Sequence, residues 1–324
     1  MAGAEHIDVS IVVPVYRSEA ILPHLVAKVA EAFADLPWTY ELILTNDVSP
    51  DRSWEVIAEL ARTHPQVRGI CLAKNVGQHN ATMAGLGAAR GDIVVIMDDD
   101  LQHPPDAIVR LIDAVRAGAD VCYTRYANRQ HEAWKKVGSW FNDRIATILL
   151  QKPAGLYLSS FKAMRRNISD QVVKYDGPYA YVDGLILDIT RRIDVVTIEH
   201  QARFSGEGNY NLRRSISLWL KMATSFSVFP LRVATFLGML LTAISVVGIV
   251  GIVGRKLLHP ELAAGWASLI VTMLFVGGIQ TFCLGMLGEY LGRAYLKINK
   301  KPQYVIRETT AQAPPDGRRS IFAE

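Results

Sequence analysis

Short apolar runs alternate with amphipathic stretches along residues 1–210 of the chain. The apolar runs are rich in β-branched residues and are too short for buried helices, which favours strands. Their near-continuous hydrophobicity is typical of parallel strands covered on both faces. The pattern therefore predicts an α/β fold, a mostly parallel sheet flanked by helices, with strands at residues 9–15, 40–44, 67–72, 92–97 and 121–123.

Two much longer apolar runs follow, at residues 233–254 and 265–288, and neither contains a charged residue. Each is long enough for a helix to cross the roughly 30 Å hydrocarbon layer of a bilayer. The connecting segment is short, so the two runs predict a transmembrane hairpin within residues 231–292. Residues 211–230 mix apolar and basic side chains, which predicts an amphipathic helix in the headgroup plane; a plain helical linker is the alternative.

Basic charge concentrates in the same part of the chain. The formal net charge is +4, but residues 211–307 alone carry +9, which leaves −5 for the remainder. This separation favours a membrane surface over nucleic acid as a partner. The basic flanks of the hairpin place both termini in the cytoplasm and the protein in the inner membrane. The predicted parts are a cytoplasmic domain (1–210), a juxtamembrane helix (211–230), the hairpin (231–292) and a cytoplasmic tail (293–324).

Composition and short motifs exclude several other classes of protein. Half of the residues are hydrophobic, which excludes an intrinsically disordered chain. The three cysteines are widely spaced, so neither a disulfide framework nor a zinc knuckle is expected. No Gly-x-Gly-x-x-Gly follows the first strand and no Walker lysine loop occurs, which weighs against dinucleotide and P-loop sites.

Three consecutive aspartates, Asp98, Asp99 and Asp100, follow the fourth predicted strand. Adjacent carboxylates repel one another, and a bound divalent cation removes that cost. Asp98 and Asp100, with the side-chain oxygen of Gln102, predict a site for Mg²⁺ or Mn²⁺, because these ions prefer oxygen ligands. The alternative is a solvated acidic turn that caps the next helix.

The ends of the second and third strands carry further polar side chains. Asn46 and Asp47 end the second strand, where their oxygens suit the N–H groups of a base or a ribose hydroxyl; turn formation is the alternative. Lys74, Asn75 and Gln78 follow the third strand. Ligands of parallel sheets bind beyond the carboxyl ends of the strands, so these residues form one candidate site with the aspartates.

The order of these motifs resembles family 2 inverting glycosyltransferases, which have the GT-A fold. The resemblance rests on IVVPVY at 11–16, the 46–51 turn, KNVGQHNATMAG at 74–85 and MDDDLQHPP at 97–105. RFSGEGNY at 203–210, both apolar runs and LGEYLGR at 287–293 are similar to the polyprenyl-phosphate branch. That branch includes dolichol-phosphate mannose synthase, undecaprenyl-phosphate glucosyltransferase and undecaprenyl-phosphate aminoarabinose transferase.

The resemblance implies metal-dependent transfer of a sugar from a nucleoside diphosphate, as a UDP-sugar, to polyprenyl phosphate on the cytoplasmic face. The implied nucleotide-binding residues are Pro14, Tyr16, Glu19, Asn46, Asp47, Lys74, Asn75, Gln78, Asp98 and Asp99. Glu19 is among them because Arg17-Ser18 stands where the family usually has Asn-Glu. The implied acceptor-phosphate residues are Ser160, Lys162, Arg203, Ser205 and Tyr210. The implied catalytic residues are Asp98, Asp100, Arg125, Arg129 and Arg203.

One departure from the family changes the expected chemistry. Residues 159–162 are Ser-Ser-Phe-Lys where the family often has Gly-Asp-Phe-Arg, so Ser160 replaces an aspartate sometimes proposed as a base. A phosphate monoester has a second pKa of about 6 and is mostly dianionic at pH 7. The acceptor therefore needs cations and in-line geometry more than a base. Asp183 is a secondary candidate for a base, with a turn role as the alternative.

Two other functions stay open at the level of sequence. A processive polysaccharide synthase needs a Gln-x-x-Arg-Trp motif, to which residues 171–175 are a poor match. A non-catalytic partner of a lipid-carrier flippase is the second alternative, which the intact acidic triplet disfavours. The resemblance also implies a homo-oligomer, with a tetramer as the family expectation. In it, residues 304–307 are expected to form a strand that pairs with a neighbouring subunit.

Overall fold

The computed structural model describes residues 6–102, 104, 107–126, 152–153, 156–177, 180–198, 229–258 and 265–310. The chain divides into two compact units, Met1–Asn209 with Pro302–Glu324, and Tyr210–Lys301. Because the second unit is inserted between two segments of the first, the chain leaves the first unit once and then returns to it.

The first unit contains one sheet, whose described strands are β1 (Val9–Val15), β2 (Tyr40–Asn46), β3 (Val67–Leu72), β4 (Ile93–Ile96), β5 (Val121–Tyr126), β6 (Lys162–Arg165), β7 (Ile193–Ile198) and β8 (Ile306–Thr309). Their order is β7-β5-β6-β4-β1-β2-β3-β8. β1 is parallel to β2 and β4, β2 is parallel to β3, and β5 is parallel to β7. β6 and β8 pair antiparallel to their neighbours.

Helices flank this sheet, and those described are α1 (Leu22–Phe33), α2 (Ser53–Thr63), α3 (Gln78–Ala88), α4 (Ala107–Arg116), α5 (Arg166–Val173) and α6 (Val182–Ile189). Every residue of β1 is buried, although successive side chains point to opposite faces, so both faces of the sheet are covered. α1 contributes a buried stripe at helical spacing, Leu22, Leu25, Val26, Val29 and Phe33. The predicted α/β fold with a mostly parallel, helix-flanked sheet is confirmed.

The strand β6 is not predicted by the sequence pattern. Its four residues, Lys-Ala-Met-Arg, include no β-branched side chain. It nevertheless lies in the middle of the sheet, where Lys162 is opposite Ile96 of β4 and Tyr123 of β5. Pairing on both sides therefore decides its conformation, and local propensity does not.

The strand β8 completes the other end of the sheet after the chain returns to the first unit. It pairs antiparallel with β3 of its own chain, and the Gly69 N–H donates to Thr310 Oγ1 at 2.7 Å. Gln303 Nε2 donates to the carbonyls of Tyr175 and Gly177 at 2.8 and 2.9 Å. Within the described chain, residues 306–309 thus pair with β3, and pairing of residues 304–307 with a neighbouring subunit stays a prediction. The returning chain satisfies the backbone groups along the outer edge of β3.

The described part of the second unit consists of two long helices, α7 (Phe229–Leu258) and α8 (Trp266–Ile298). Among the residues that can be assessed, one segment of α7, Leu231–Gly248, is long and apolar enough to cross a membrane. One of the two predicted spans is thereby supported. The second predicted span, 265–288, lies almost wholly within α8, but no segment of α8 that can be assessed is long and apolar enough by the same criteria. The predicted juxtamembrane helix at 211–230 lies almost wholly outside the described residues.

Candidate active site

A cavity of about 560 Å³ opens at the carboxyl ends of β1, β2 and β4. Parallel strands end there side by side, so the polar residues that follow each strand meet in one place. Arg17 and Ser18 also line the cavity, and the sequence prediction misses both; their departure from the usual Asn-Glu was the available signal. The predicted site residues that the structure brings together here are Pro14, Tyr16, Asp47, Asn75, Gln78, Asp98, Asp99 and Asp100.

The end of β1 presents an aromatic ring and a cation to the cavity. The Tyr16 side chain is 46% exposed, and the Arg17 guanidinium lies 5.4 Å from the centre of its ring. Arg17 has a φ of 61°, in the left-handed region, and its N–H donates to Ser49 Oγ at 2.5 Å. An open aromatic face suits stacking of a base, and an adjacent guanidinium suits a diphosphate.

Asp47 fixes the loop that follows β3. Its two carboxylate oxygens accept the N–H groups of Val76 and Gly77, each at 2.8 Å, and its carbonyl accepts Asn75 Nδ2 at 2.8 Å. Gly77 has a φ of 85°, which a residue with a side chain rarely adopts. Burial raises the pKa of Asp47 although the two N–H groups act in the opposite direction. The Asp47 carboxylate thus lines the cavity and also fixes the backbone of the loop that forms one of its walls.

Asp99 joins the end of β4 to the end of β1. Its Oδ2 accepts the Tyr16 N–H at 3.1 Å and the Ser18 hydroxyl. Burial raises the pKa of Asp99 to about 6, against the stabilising effect of these two donors. Asp99 therefore fixes the position of the tyrosine backbone beside the cavity.

Asp98 has described polar partners that are distant in sequence, whereas the described partner of Asp100 lies in the same loop. Asp98 accepts Gln78 Nε2 at 2.6 Å on one oxygen and the Ser160 hydroxyl at 2.5 Å on the other. Asp100 accepts the Gln102 N–H at 3.0 Å, across a residue with left-handed φ, Leu101 at 57°. Both carboxylates line the cavity, and hydrogen bonds fix Asp98 to two other segments of the chain and Asp100 to its own loop.

Only part of the predicted metal site is assembled. Within the described ranges there is no group of three or more His, Cys, Asp or Glu side chains placed to hold a metal. Asp98 and Asp100 line the cavity, whereas Gln102 does not. Mg²⁺ is commonly held by one or two carboxylates together with substrate phosphates and water. Two aspartates beside a cavity of diphosphate size fit that pattern, with Gln102 not required.

Three predicted nucleotide-binding residues lie away from the cavity lining. Asn46 is buried: its amide donates to Cys71 Sγ at 3.4 Å, and its Oδ1 accepts the Ser49 N–H at 3.2 Å in the turn after β2. Glu19 accepts the N–H of Arg52 at 2.8 Å, at the start of α2, where an acidic side chain is favoured. Lys74 is exposed on the loop after β3.

Lys162 is buried and forms an ion pair with Asp183 of α6. The Tyr123 hydroxyl donates to the same carboxylate at 3.0 Å. His79 lies nearby with its ring edge-on to Tyr181 at 5.0 Å, and burial lowers the pKa of this histidine. Because β6 is a central strand, its lysine points into the interior and neutralises Asp183 there, instead of facing an acceptor phosphate.

The acceptor side of the predicted site is described only in part. Ser160 lies against Asp98, and Arg125 is exposed at the end of β5. The remaining predicted residues, Arg129, Arg203, Ser205 and Tyr210, lie outside the described residues.

The sequence matches the family model described as "Glycosyl transferase family 2" over residues 10–173, which is about half of the chain. The matched segment contains every residue that lines the cavity. The chain belongs to glycosyltransferase family 2. It is accordingly an enzyme, and the resemblance stated from its motifs is confirmed.

Relatives of family 2 extend the similarity through both units. The undecaprenyl-phosphate 4-deoxy-4-formamido-L-arabinose transferase of Aeromonas hydrophila subsp. hydrophila is 34% identical, over 94% of this chain and 94% of that one. The SfII prophage-derived bactoprenol glucosyl transferase of Shigella flexneri is 31% identical, over 93% of this chain and 98% of that one. Both relatives are named for an undecaprenyl-phosphate or bactoprenol substrate, in agreement with the polyprenyl-phosphate branch that the motifs indicate.

A solved structure supports the fold of the family 2 domain. Glucosyl-3-phosphoglycerate synthase from Mycobacterium tuberculosis, in complex with Mn²⁺, UDP and phosphoglyceric acid, superposes with a TM-score of 0.51. The two chains are 18% identical, over 67% of this chain and 76% of the other. At this identity the likeness concerns the architecture, and it confirms a GT-A-like fold.

Proposed function

We propose that this glycosyltransferase transfers a sugar from a UDP-sugar to polyprenyl phosphate at the cytoplasmic face of a membrane, with Mg²⁺ or Mn²⁺ as cofactor. The observation that carries the proposal is the cavity in which Asp98 and Asp100 face the end of β1. The named relatives act on undecaprenyl phosphate or bactoprenol, which supports the acceptor. The Mn²⁺ and UDP of the solved relative support the metal and the donor.

The donor nucleotide is proposed to lie along the ends of β1 and β2. The exposed Tyr16 ring offers the base a stacking surface, and stacking contributes about 1–3 kcal/mol per base. Asp47 and Asn75 form the opposite wall, where polar atoms can receive the edge of the base or the ribose. Arg17 stands beside the tyrosine, within reach of the diphosphate. These contacts bind and orient the sugar with its leaving group toward the aspartates.

Inversion follows if the acceptor attacks the anomeric carbon on the side opposite the diphosphate. A phosphate oxygen of the acceptor forms the new bond to carbon while the bond to the diphosphate breaks, and UDP leaves with that electron pair. When bound, Mg²⁺ or Mn²⁺ neutralises the charge that develops on the departing diphosphate. Asp98 and Asp100 would hold the ion at the cavity.

No protein base is required for this reaction. The acceptor phosphate is mostly dianionic at pH 7 and is already a nucleophile. The remaining task is to hold two anionic groups close together, which cations perform. Arg125, Arg129 and Arg203 are proposed for that role, because a guanidinium binds phosphate through two parallel hydrogen bonds.

The path of the chain supports an even number of membrane crossings. The strands β1 to β7 come before the two long helices and β8 comes after them, yet all belong to one sheet, so both segments must lie on the same side of any bilayer. A single span in α7 would leave β8 on the wrong side. The second apolar run, at 265–288, is the segment available for the return, and side chains on both long helices, such as Val247 and Leu284, are largely exposed. We therefore propose two spans.

Direct assay of the lipid product tests the transfer. Membranes that contain the chain would be incubated with polyprenyl phosphate, a panel of UDP- and GDP-sugars, and Mg²⁺ or Mn²⁺. The expected product is a lipid-linked monosaccharide, seen by mass spectrometry and lost when EDTA is added. A polymer without that product would instead indicate a processive synthase. Transfer that persists at full rate in EDTA would contradict the metal role.

Labelling from one side of the membrane tests the proposed topology. Glu261 lies in the link between the two apolar runs, so Glu261→Cys is expected to react with an impermeant maleimide added outside spheroplasts. The unaltered chain, with its native cysteines, is the matched control. Labelling of this variant only after the membrane is broken would contradict a cytoplasmic domain with two spans.

A further inference from the structure

Ser160 lies at the metal side of the cavity because of the register of the sheet. Lys162 of β6 is opposite Ile96 of β4, and the strands are antiparallel, so Ser160 comes opposite Asp98. Its hydroxyl donates to Asp98 Oδ2 at 2.5 Å. The side chain that replaces the family's aspartate is thus in contact with a proposed metal ligand.

The segment around Ser160 is fixed on both sides. Thr124 of β5 donates its hydroxyl to Ser159 Oγ at 2.8 Å, or to the Phe161 carbonyl at 2.9 Å. Two residues beyond Ser160, Lys162 is held by its ion pair with Asp183. The hydroxyl of Ser160 is therefore presented to Asp98 from a rigid element.

Gln78 holds the other oxygen of Asp98. Its Nε2, at the start of α3, donates to Oδ1 at 2.6 Å. Gln78 and Ser160 are both neutral, so they orient the carboxylate without cancelling the charge that attracts a cation. A carboxylate at residue 160 would instead place a second negative charge beside Asp98 and raise the pKa of one of the two.

We propose that Ser160 is a positioning residue for Asp98, and that its hydroxyl sets the metal affinity of the site without binding the acceptor. The inference rests on the proposed metal-dependent function. Residues that orient a metal ligand commonly change metal affinity about 10–100-fold when they are removed. Ser160 thus stands where the family often has an aspartate, and its proposed role differs from that of a base.

Mn²⁺ affinity of the full chain in detergent, with UDP present, tests the inference through the electron paramagnetic resonance signal of free Mn²⁺. Ser160→Ala is expected to weaken Mn²⁺ binding about 10-fold. Ser160→Thr, which keeps the hydroxyl, is expected to bind Mn²⁺ within about 3-fold of the unaltered chain. The control is Ser169→Ala: Ser169 is buried, and its hydroxyl finds no hydrogen-bond partner among the described residues, so no change in Mn²⁺ affinity is expected.

Steady-state kinetics then separates the two roles that Ser160 can have. The inference expects an unchanged KM for polyprenyl phosphate in Ser160→Ala at saturating Mn²⁺. A raised acceptor KM with unchanged Mn²⁺ affinity would overturn the inference and leave the proposed function standing. Absence of Mn²⁺ binding by the unaltered chain with UDP would overturn both.

Discussion

Each end of β2 carries a buried carboxylate, and the surroundings shift the pKa of the two carboxylates in opposite directions. Glu41, near the amino end, is 2% exposed and lies between two arginines: Arg68 at 2.6 Å and Arg90 at 2.9 Å. Asp47, just past the carboxyl end, is 4% exposed and is held by the backbone N–H groups of Val76 and Gly77. Burial opposes ionisation of both groups. Hydrogen bonds from Ser10 and Arg68 overcome it and lower the pKa of Glu41, whereas the pKa of Asp47 is raised.

The difference separates a carboxylate held in an internal ion pair from carboxylates that are proposed to serve the site. A buried carboxylate with guanidinium partners contributes to folding and has no remaining need for a cation. The carboxylates at the opposite edge, Asp47 and Asp99, have neutral described partners and line an open cavity. Burial disfavours the charged form of both carboxylates. Perturbed carboxylates of this kind beside a cavity are typical of ligand-binding sites.

The largest expected effect comes from neutralising the proposed metal ligands. Asp98→Asn and Asp100→Asn should each lower kcat about 10³-fold, because the leaving diphosphate loses its bound cation. Transfer to polyprenyl phosphate measures this. Asp113→Asn, an exposed aspartate on α4, is the control and should keep full activity. Equal activity of Asp98→Asn and the control would contradict the proposed role of Asp98 as a metal ligand.

At the other end of β2, the loss should appear in stability. Glu41→Gln leaves two arginines without their carboxylate, which should lower the free energy of unfolding by about 2–4 kcal/mol. Chemical denaturation measures this, and activity per folded molecule should not change. A variant with native stability would show that the arginines are satisfied without Glu41.

Asp47→Asn should give the reverse result. The amide removes a charge whose burial is unfavourable, so stability should stay within about 1 kcal/mol. It also loses one acceptor for the Val76 and Gly77 N–H groups, so the loop shifts and UDP affinity should fall about 10-fold. Calorimetric titration with UDP and Mn²⁺ measures the affinity. Loss of stability without loss of affinity would make Asp47 structural, like Glu41.

The smallest expected effect is a dependence of stability on acid. The pKa of Glu41 is lower in the folded chain than in the unfolded chain. At pH values between these two pKa values the unfolded chain therefore binds more protons than the folded chain. The stabilisation is fully present above about pH 4.5 and is lost as the pH falls through the lowered pKa. Unfolding followed from pH 6 to pH 3 should show a shallower decline for Glu41→Gln. Parallel declines would contradict the assignment.

Much of the fold follows from the hydrophobic pattern. The parallel strands are largely apolar because both faces are buried, so β1 to β4 stand out in the sequence. The site follows from the same fact, since residues after such strands must meet at one edge. Tyr16, Asp47 and Asp98 are found in this way.

Other features depend on tertiary contacts that no local pattern carries. β6 is a strand because its neighbours pair with it, and Lys162 is internal for the same reason. The sequence therefore predicts that Lys162 binds phosphate, whereas in the structure it forms an interior ion pair with Asp183. The contact of Ser160 with Asp98 joins residues that are distant in sequence, and only the strand register reveals it.

The position of β8 fixes the order of events during biosynthesis. The ribosome completes β1 to β7 first, but the last strand of the sheet is made only after both long helices have been synthesised. Until then β3 is an exposed edge that other chains can pair with. The sheet is therefore completed only after both long helices have been synthesised, and a chain truncated at Lys301 would retain that exposed edge permanently.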